Sequence, residues 1–128
     1  MAKRAKTARR FRLKRVYEPA AEDDGLRVLV DRLWPRGLTK QKACVDLWLK
    51  DIAPSDALRR RFHADRTKWR DFVAAYRQEL KKEPAKSAAA NLREQIKHAR
   101  VTLLYATRDE AQNNAVALKD WLEQPGRA

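Results

Sequence analysis

Apolar residues recur along this chain with two periods, and each change of period marks an element. Phe11, Leu13 and Tyr17 fall at even spacing with Val16 beside the last, which predicts a short strand with basic alternates. A polar, proline-bearing connector over 18–25 follows. Then Val28, Leu29, Val30 and Leu33, between Gly25 and Pro35, predict a central strand. The connector is too short for a crossover helix, so as sheet neighbours these two strands would be antiparallel. From 38 to 52 the pattern is mixed, because Cys44, Leu47 and Trp48 suit a helix while Val45, Leu47 and Leu49 alternate. The expectation is a helical turn after Thr39 and a short strand near 45–50.

Beyond residue 54 the helical period takes over. Ser55 is placed to cap a helix with Asp56 in its first turn and Leu58 and Phe62 on its buried stripe. Trp69, Phe72, Val73, Tyr76 and Leu80 form the clearest amphipathic pattern in the chain, which Pro84 ends or interrupts. The alanine-rich stretch from Ala85 carries Leu92 and Ile96 as a further helix, with His98 near its end. Val101 to Ala106 is a continuous apolar run that predicts a buried strand. Asp109 can cap a last helix with Ala111, Ala115, Leu118 and Leu122 on one face. The order of elements predicts an α/β fold: a single small layered domain with a mixed, largely parallel sheet flanked by helices.

Composition narrows the class. With 128 residues, 44% hydrophobic and 37% charged, the chain suits one domain able to build a core without disulfides or metal. No apolar run approaches a membrane span, and no apolar stretch follows the basic N-terminus as a secretory signal requires. The single cysteine, Cys44, fits a reducing compartment, so a cytoplasmic location is expected. The net charge of +13 invites a nucleic-acid reading, yet eight of the 30 basic residues lie before residue 16. Residues 1–11 therefore read as a basic, disordered arm and 12–128 as the domain. Lys3, Arg4, Lys6, Arg9 and Arg10 could make salt-sensitive phosphate contacts, or simply keep the chain soluble.

Three glycines, Gly25, Gly37 and Gly126, cannot build either standard phosphate loop, and the two serines lie outside any nucleophile elbow. Cys44, His63 and His98 have no metal-ligand spacing, so neither a metal site nor a cofactor is predicted. The informative stretch is Arg27 to Gly37. On a strand, Val28, Val30, Arg32 and Trp34 would share one face, with Leu29, Asp31 and Leu33 on the other. Charges at the end of an apolar strand are costly unless paired, and ligands of open α/β sheets collect at the carboxyl ends of strands. Arg32 and Arg36 could donate to a phosphate or carboxylate, with Trp34 as a wall. The alternative is that Asp31 pairs internally and Trp34 is ordinary core. At the second strand end, Arg108, Asn113 and Asn114 would complete an anion site with the helix amides, unless they are solvated first-turn residues. His63, near a loop, and Asp31 are the candidate acid–base residues.

Lys14-Arg15-Val16-Tyr17 and Val30-Asp31-Arg32-Leu33-Trp34-Pro35-Arg36-Gly37 resemble the YeaO-like bacterial family, domain of unknown function 488. The likeness continues through Trp48-Leu49-Lys50, Ala53-Pro54-Ser55, Leu58-Arg59, Phe62-His63, Thr102 to Ala106 and 113–122. It implies a small cytosolic α/β protein and brings no established activity. Family members commonly read Asn-His-Ala where this chain reads Asn113-Asn114-Ala115, and asparagine takes no proton at neutral pH. The expected function is binding of a small anion at the strand ends, with or without catalysis. The alternatives are a nucleic-acid accessory protein using its arm, and a scaffold subunit without a pocket.

Overall fold

The computed structural model describes residues 10–124. Four strands, β1 (Arg12–Arg15), β2 (Leu26–Leu29), β3 (Leu47–Trp48) and β4 (Val101–Tyr105), form one sheet in the order β1-β4-β2-β3. Every pair in it is parallel. The helices are α1 (Lys40–Ala43), α2 (Asp56–Ala64), α3 (Trp69–Leu80), α4 (Ala85–His98) and α5 (Asn114–Leu122), with 3-10 turns at Glu22–Asp24 and Lys50–Ile52.

β1 and β2 are not neighbours. The last strand in the chain, fully buried along its length, enters between them and pairs with both. This removes the antiparallel constraint that the short connector would otherwise impose. The connector instead passes through the 3-10 turn and re-enters the sheet at Gly25, whose φ of 66° lies in the left-handed region. A Cβ there would collide with the Arg100 carbonyl, the same carbonyl that receives the Leu26 amide.

The two faces of the sheet are covered unequally. Val28, Val30, Val101, Leu103 and Tyr105 face the large core, built with Leu58 and Phe62 of α2, Phe72, Tyr76 and Leu80 of α3, Leu92 and Ile96 of α4, and Leu118 and Trp121 of α5. Phe62 stacks on Phe72 with ring centroids 4.8 Å apart. Val16, Leu29 and Leu104 face the other way into a small cluster closed by Ala43 of α1, Trp34, Leu38 and Trp48. That cluster corrects the alternation expected past Val30. Trp34 packs with Leu29 and not with Val28, because strand pairing in β2 ends at Leu29 and the chain turns off the sheet before Pro35.

A buried ion cluster anchors the thin face. The Arg27 guanidinium donates to Asp24 at 2.7 Å and to the carbonyls of Ala43 and Cys44 at 2.9 Å each, while Lys14 donates to the same carboxylate. Burial alone would raise the Asp24 pKa. The Ala21 amide, Lys14 and Arg27 outweigh it and hold the carboxyl below its ordinary value.

The N-terminal boundary falls earlier than the cation pattern suggests. Phe11 is buried and its amide donates to Glu123 at 2.8 Å, so it belongs to the domain. Arg12, Lys14 and Arg15 are strand residues with internal partners, namely Asp23, Asp24 and the carbonyls of Ala106 and Thr107. Lys3, Arg4, Lys6 and Arg9 lie outside the described residues. Arg10 is exposed, 3.8 Å from the Glu123 carboxylate. Among the described residues no helix is long and apolar enough to cross a membrane.

Candidate functional site

Parallel strands bring all four carboxyl ends to one rim, and the segments that leave them wall a cleft of about 340 Å³. The β2 end supplies Asp31, Arg32, Trp34 and Arg36, and the β4 end supplies Ala106 and Thr107. Asn113 and Asn114 open α5 on the same side, and Tyr17 follows β1. Opposite them stand Arg59, Phe62 and His63 of α2, then Arg66. The strand-end residues singled out in the sequence thus meet at one cleft, with the exception of Arg108. That residue lies in an adjoining, more open recess with Arg15, Tyr17 and Arg36.

Most of these side chains are committed to the scaffold. Asp31 accepts the Ala106 amide at 3.0 Å and the Asn114 side-chain amide at 3.1 Å, tying the ends of β2 and β4 to the start of α5. Burial pushes its carboxyl above the ordinary range, against the opposing pull of Asn114, the Ala106 amide and the Arg59 charge. Asn114 also donates to the Val30 carbonyl at 3.0 Å. Arg32 donates to the carbonyls of Pro54 and Ala53 at 3.0 and 3.2 Å. That corner is held in turn by Glu79, which receives both the amide and the hydroxyl of Ser55. The Trp34 indole donates to the Leu38 carbonyl at 2.7 Å, and its ring packs edge-on against Trp48 with centroids 5.3 Å apart.

The last helix begins later than expected. Asn113, not Asp109, is its cap and accepts the Val116 amide at 2.9 Å, while its own amide donates to the Asp109 carbonyl. Asp109 closes the preceding turn through the amides of Ala111 and Gln112 and pairs with Arg66 at 2.9 Å. Those two amides hold its carboxyl low against the opposing effect of burial, with a lesser contribution from Arg66. The stretch before α5 is irregular because Asp109 turns the chain before any apolar stripe can begin.

Two cations to which the sequence pattern assigns no role, Arg59 and Arg66, line the cleft from the helical side. Arg59 pairs with Asp56 at 2.6 Å, and Arg66 lies over the Phe62 ring, 4.5 Å from its centroid, while donating to Asp109 and Gln112. In both, the Nε–H is shut off from solvent and has no hydrogen-bond partner among the described residues. In sequence Arg59 stands in the family string Leu58-Arg59 without an assigned role, and no local signal aims it at a strand end. His63 stands exposed on the rim, with no carboxylate among the described residues placed to orient its ring. No group of three His, Cys, Asp or Glu side chains among the described residues could hold a metal ion.

The family model described as the inactive DUF488-N3 subclade matches residues 10–127. This chain belongs to the YeaO-like DUF488 family. The uncharacterised protein YeaO of Escherichia coli K12 is 42% identical over 109 residues, 85% of this chain and 93% of that one. Two mycobacterial proteins, Mb3100c of Mycobacterium bovis and Rv3073c of Mycobacterium tuberculosis H37Rv, are each 41% identical over 113 residues, covering 88% of this chain and 93% of theirs. Both carry the description uncharacterised as well. No solved structure shows a significant match. The family segment from Val30 to Gly37 is thus the one that leaves β2 and builds a cleft wall.

Proposed function

We propose that this DUF488 member binds a small anionic molecule, bearing phosphate or carboxylate, in the cleft at the strand ends. The observation that carries the reading is the balance of charge around it. Arg32, Arg36, Arg59 and Arg66 line the cleft, where Asp31 is the one lining carboxylate among the described residues and already accepts two hydrogen bonds, while Asp56 and Asp109 pair with Arg59 and Arg66. Two of those guanidinium groups keep a desolvated Nε–H without an acceptor. Such donors are unfavourable until an acceptor arrives, so an acceptor atom of the ligand gains the full value of the contact.

Binding without turnover fits the residues better than catalysis. A general base needs an orienting partner and reach to substrate. His63 has no such partner among the described residues, and both oxygens of Asp31 are engaged by scaffold donors. The description of the subclade as inactive supports the same side.

Thermal unfolding of the full chain with inorganic phosphate, citrate and ribose 5-phosphate, in parallel with the Arg36→Ala variant, tests this. At a ligand concentration about a hundredfold above its dissociation constant, the parent should gain about 2.7 kcal/mol, seen as a raised melting temperature. The exposed Arg36 makes no side-chain hydrogen bond among the described residues, so its variant should fold normally and lose most of the shift. No shift with any anion, or equal shifts in both proteins, would sink the reading.

A further inference from the structure

We infer that the ligand is a phosphate monoester carrying a planar apolar body, with its phosphate in the recess of Arg36 and Arg108 and its body in the cleft. This rests on the anion-binding reading above and specifies it. The cleft is too large and too apolar for a bare anion. A volume of about 340 Å³ falls within the range of sites for organic ligands, and inorganic phosphate would leave most of it empty. Its lining includes Trp34, Pro54, Phe62 and Phe72, together with Leu33, which is 60% exposed. An exposed leucine beside a tryptophan wall gains burial from an apolar ligand body and nothing from a hydrated ion.

The anion's seat follows from which cations remain uncommitted. Arg32 is held by two backbone carbonyls, while Arg59 and Arg66 give their terminal nitrogens to Asp56 and to Asp109 and Gln112 and keep only a buried Nε–H each. Arg36 and Arg108 have no side-chain partner among the described residues, and they meet in the adjoining recess. Arg15 forms its floor, donating to Thr107 and Ala106 and lying 4.9 Å from the centroid of the Tyr17 ring. Among the described residues no carboxylate lines this recess, although Glu18 and Glu110 act on the neighbouring Tyr105, so the recess carries a local excess of positive charge from Arg15, Arg36 and Arg108. Tyr17 fixes the geometry by donating to the Arg36 carbonyl at 2.8 Å. Cleft and recess share Tyr17, Arg36, Ala106 and Thr107, so they form one groove, with the aromatic rings in the cleft and the arginines that lack side-chain partners meeting in the recess. A dianionic phosphate suits convergent guanidinium groups better than a single carboxylate, because its oxygens can take a fork from each arginine.

Isothermal titration with 1-naphthyl phosphate, inorganic phosphate and 1-naphthol, on the full chain and its Arg108→Ala variant, tests the two-part groove. The expected result is binding of naphthyl phosphate at least about tenfold tighter than of inorganic phosphate, weakened about tenfold by Arg108→Ala. The variant's 1-naphthol affinity and melting temperature should not change, since Arg108 is exposed and unpaired. Equal affinity for naphthyl and inorganic phosphate overturns this inference and leaves the anion-binding reading standing. Tighter naphthyl phosphate binding that ignores Arg108→Ala also overturns it, by moving the phosphate out of the recess. If neither phosphate binds, both readings fall together.

Discussion

Asp31 and Arg27 are both charged residues at the ends of a buried strand, and the structure treats them in opposite ways. Arg27 is 3% exposed with its acceptors Asp24, Ala43 and Cys44 all in place, so it acts as a bolt between β2, the 3-10 turn and α1. Replacing it with methionine would leave Asp24 buried beside Lys14 alone. The expected cost is about 3–5 kcal/mol in chemical denaturation, as for other broken buried pairs. Because the Asp24 pKa is lowered in the folded state, its contribution is present above the ordinary carboxylate range and lost as pH falls through the folded value. Asp31 has the reverse sign. Its folded pKa is raised by burial, so ionisation costs stability as pH rises through the interval between the unfolded and folded values. The stability difference between Asp31→Asn and parent should therefore shift in the parent's favour as pH is lowered from about 7 towards about 4, near the ordinary aspartate value. A pH-independent difference in denaturation free energy would count against a buried, costly carboxylate.

At the scale of elements, caps decide where helices begin. Ser55 and Thr39 cap as their sequence positions suggest, each accepting an amide three residues on. The last helix is the instructive case, since Asp109 and Asn113 are both good caps by residue type and only one can start the apolar stripe. Ala115 and Leu118 are buried whereas Ala111 is exposed, so packing selects Asn113. Asn113→Ala should cost about 1 kcal/mol in thermal or chemical denaturation. An effect near zero would mean that the Val116 amide finds another acceptor. The same element carries Asn114, whose amide joins α5 to the Val30 carbonyl and to Asp31. Cap and strand end are therefore one structural unit, and the cleft wall inherits its rigidity.

Across the whole molecule, positive charge has two locations with different standing. The cleft and recess draw theirs from the folded domain, through residues spread from Arg15 to Arg108. The N-terminal cations Lys3, Arg4, Lys6 and Arg9 precede the first described residue, and Phe11 marks where packing starts. Deleting residues 1–9 should leave the melting temperature and the anion-induced shift intact. Loss of that shift on deletion would transfer the anion site to the N-terminal segment. Retention of DNA at low salt by the full chain alone, falling steeply as salt is added, would identify a separate polyelectrolyte contact there.

What the sequence by itself determined was everything that follows from period and residue type. The amphipathic stripe from Trp69 to Leu80, the apolar run of β4, the Ser55 cap and the family string from Val30 to Gly37 were legible because each is specified by neighbours in the chain. The α/β class followed from their order. The tertiary structure alone decided that β4 lies between β1 and β2, because strand order depends on contacts across some 75 residues. It also decided that Trp34 faces the thin side of the sheet, and that Arg59 and Arg66 face the strand ends. Hydrogen-bond commitment was equally invisible in sequence: the same arginine type is scaffold at 32, held by two backbone carbonyls, and without a side-chain partner among the described residues at 36 and 108. Chain-local chemistry fixes what a side chain can donate, and only the packed fold fixes which acceptors have already taken it.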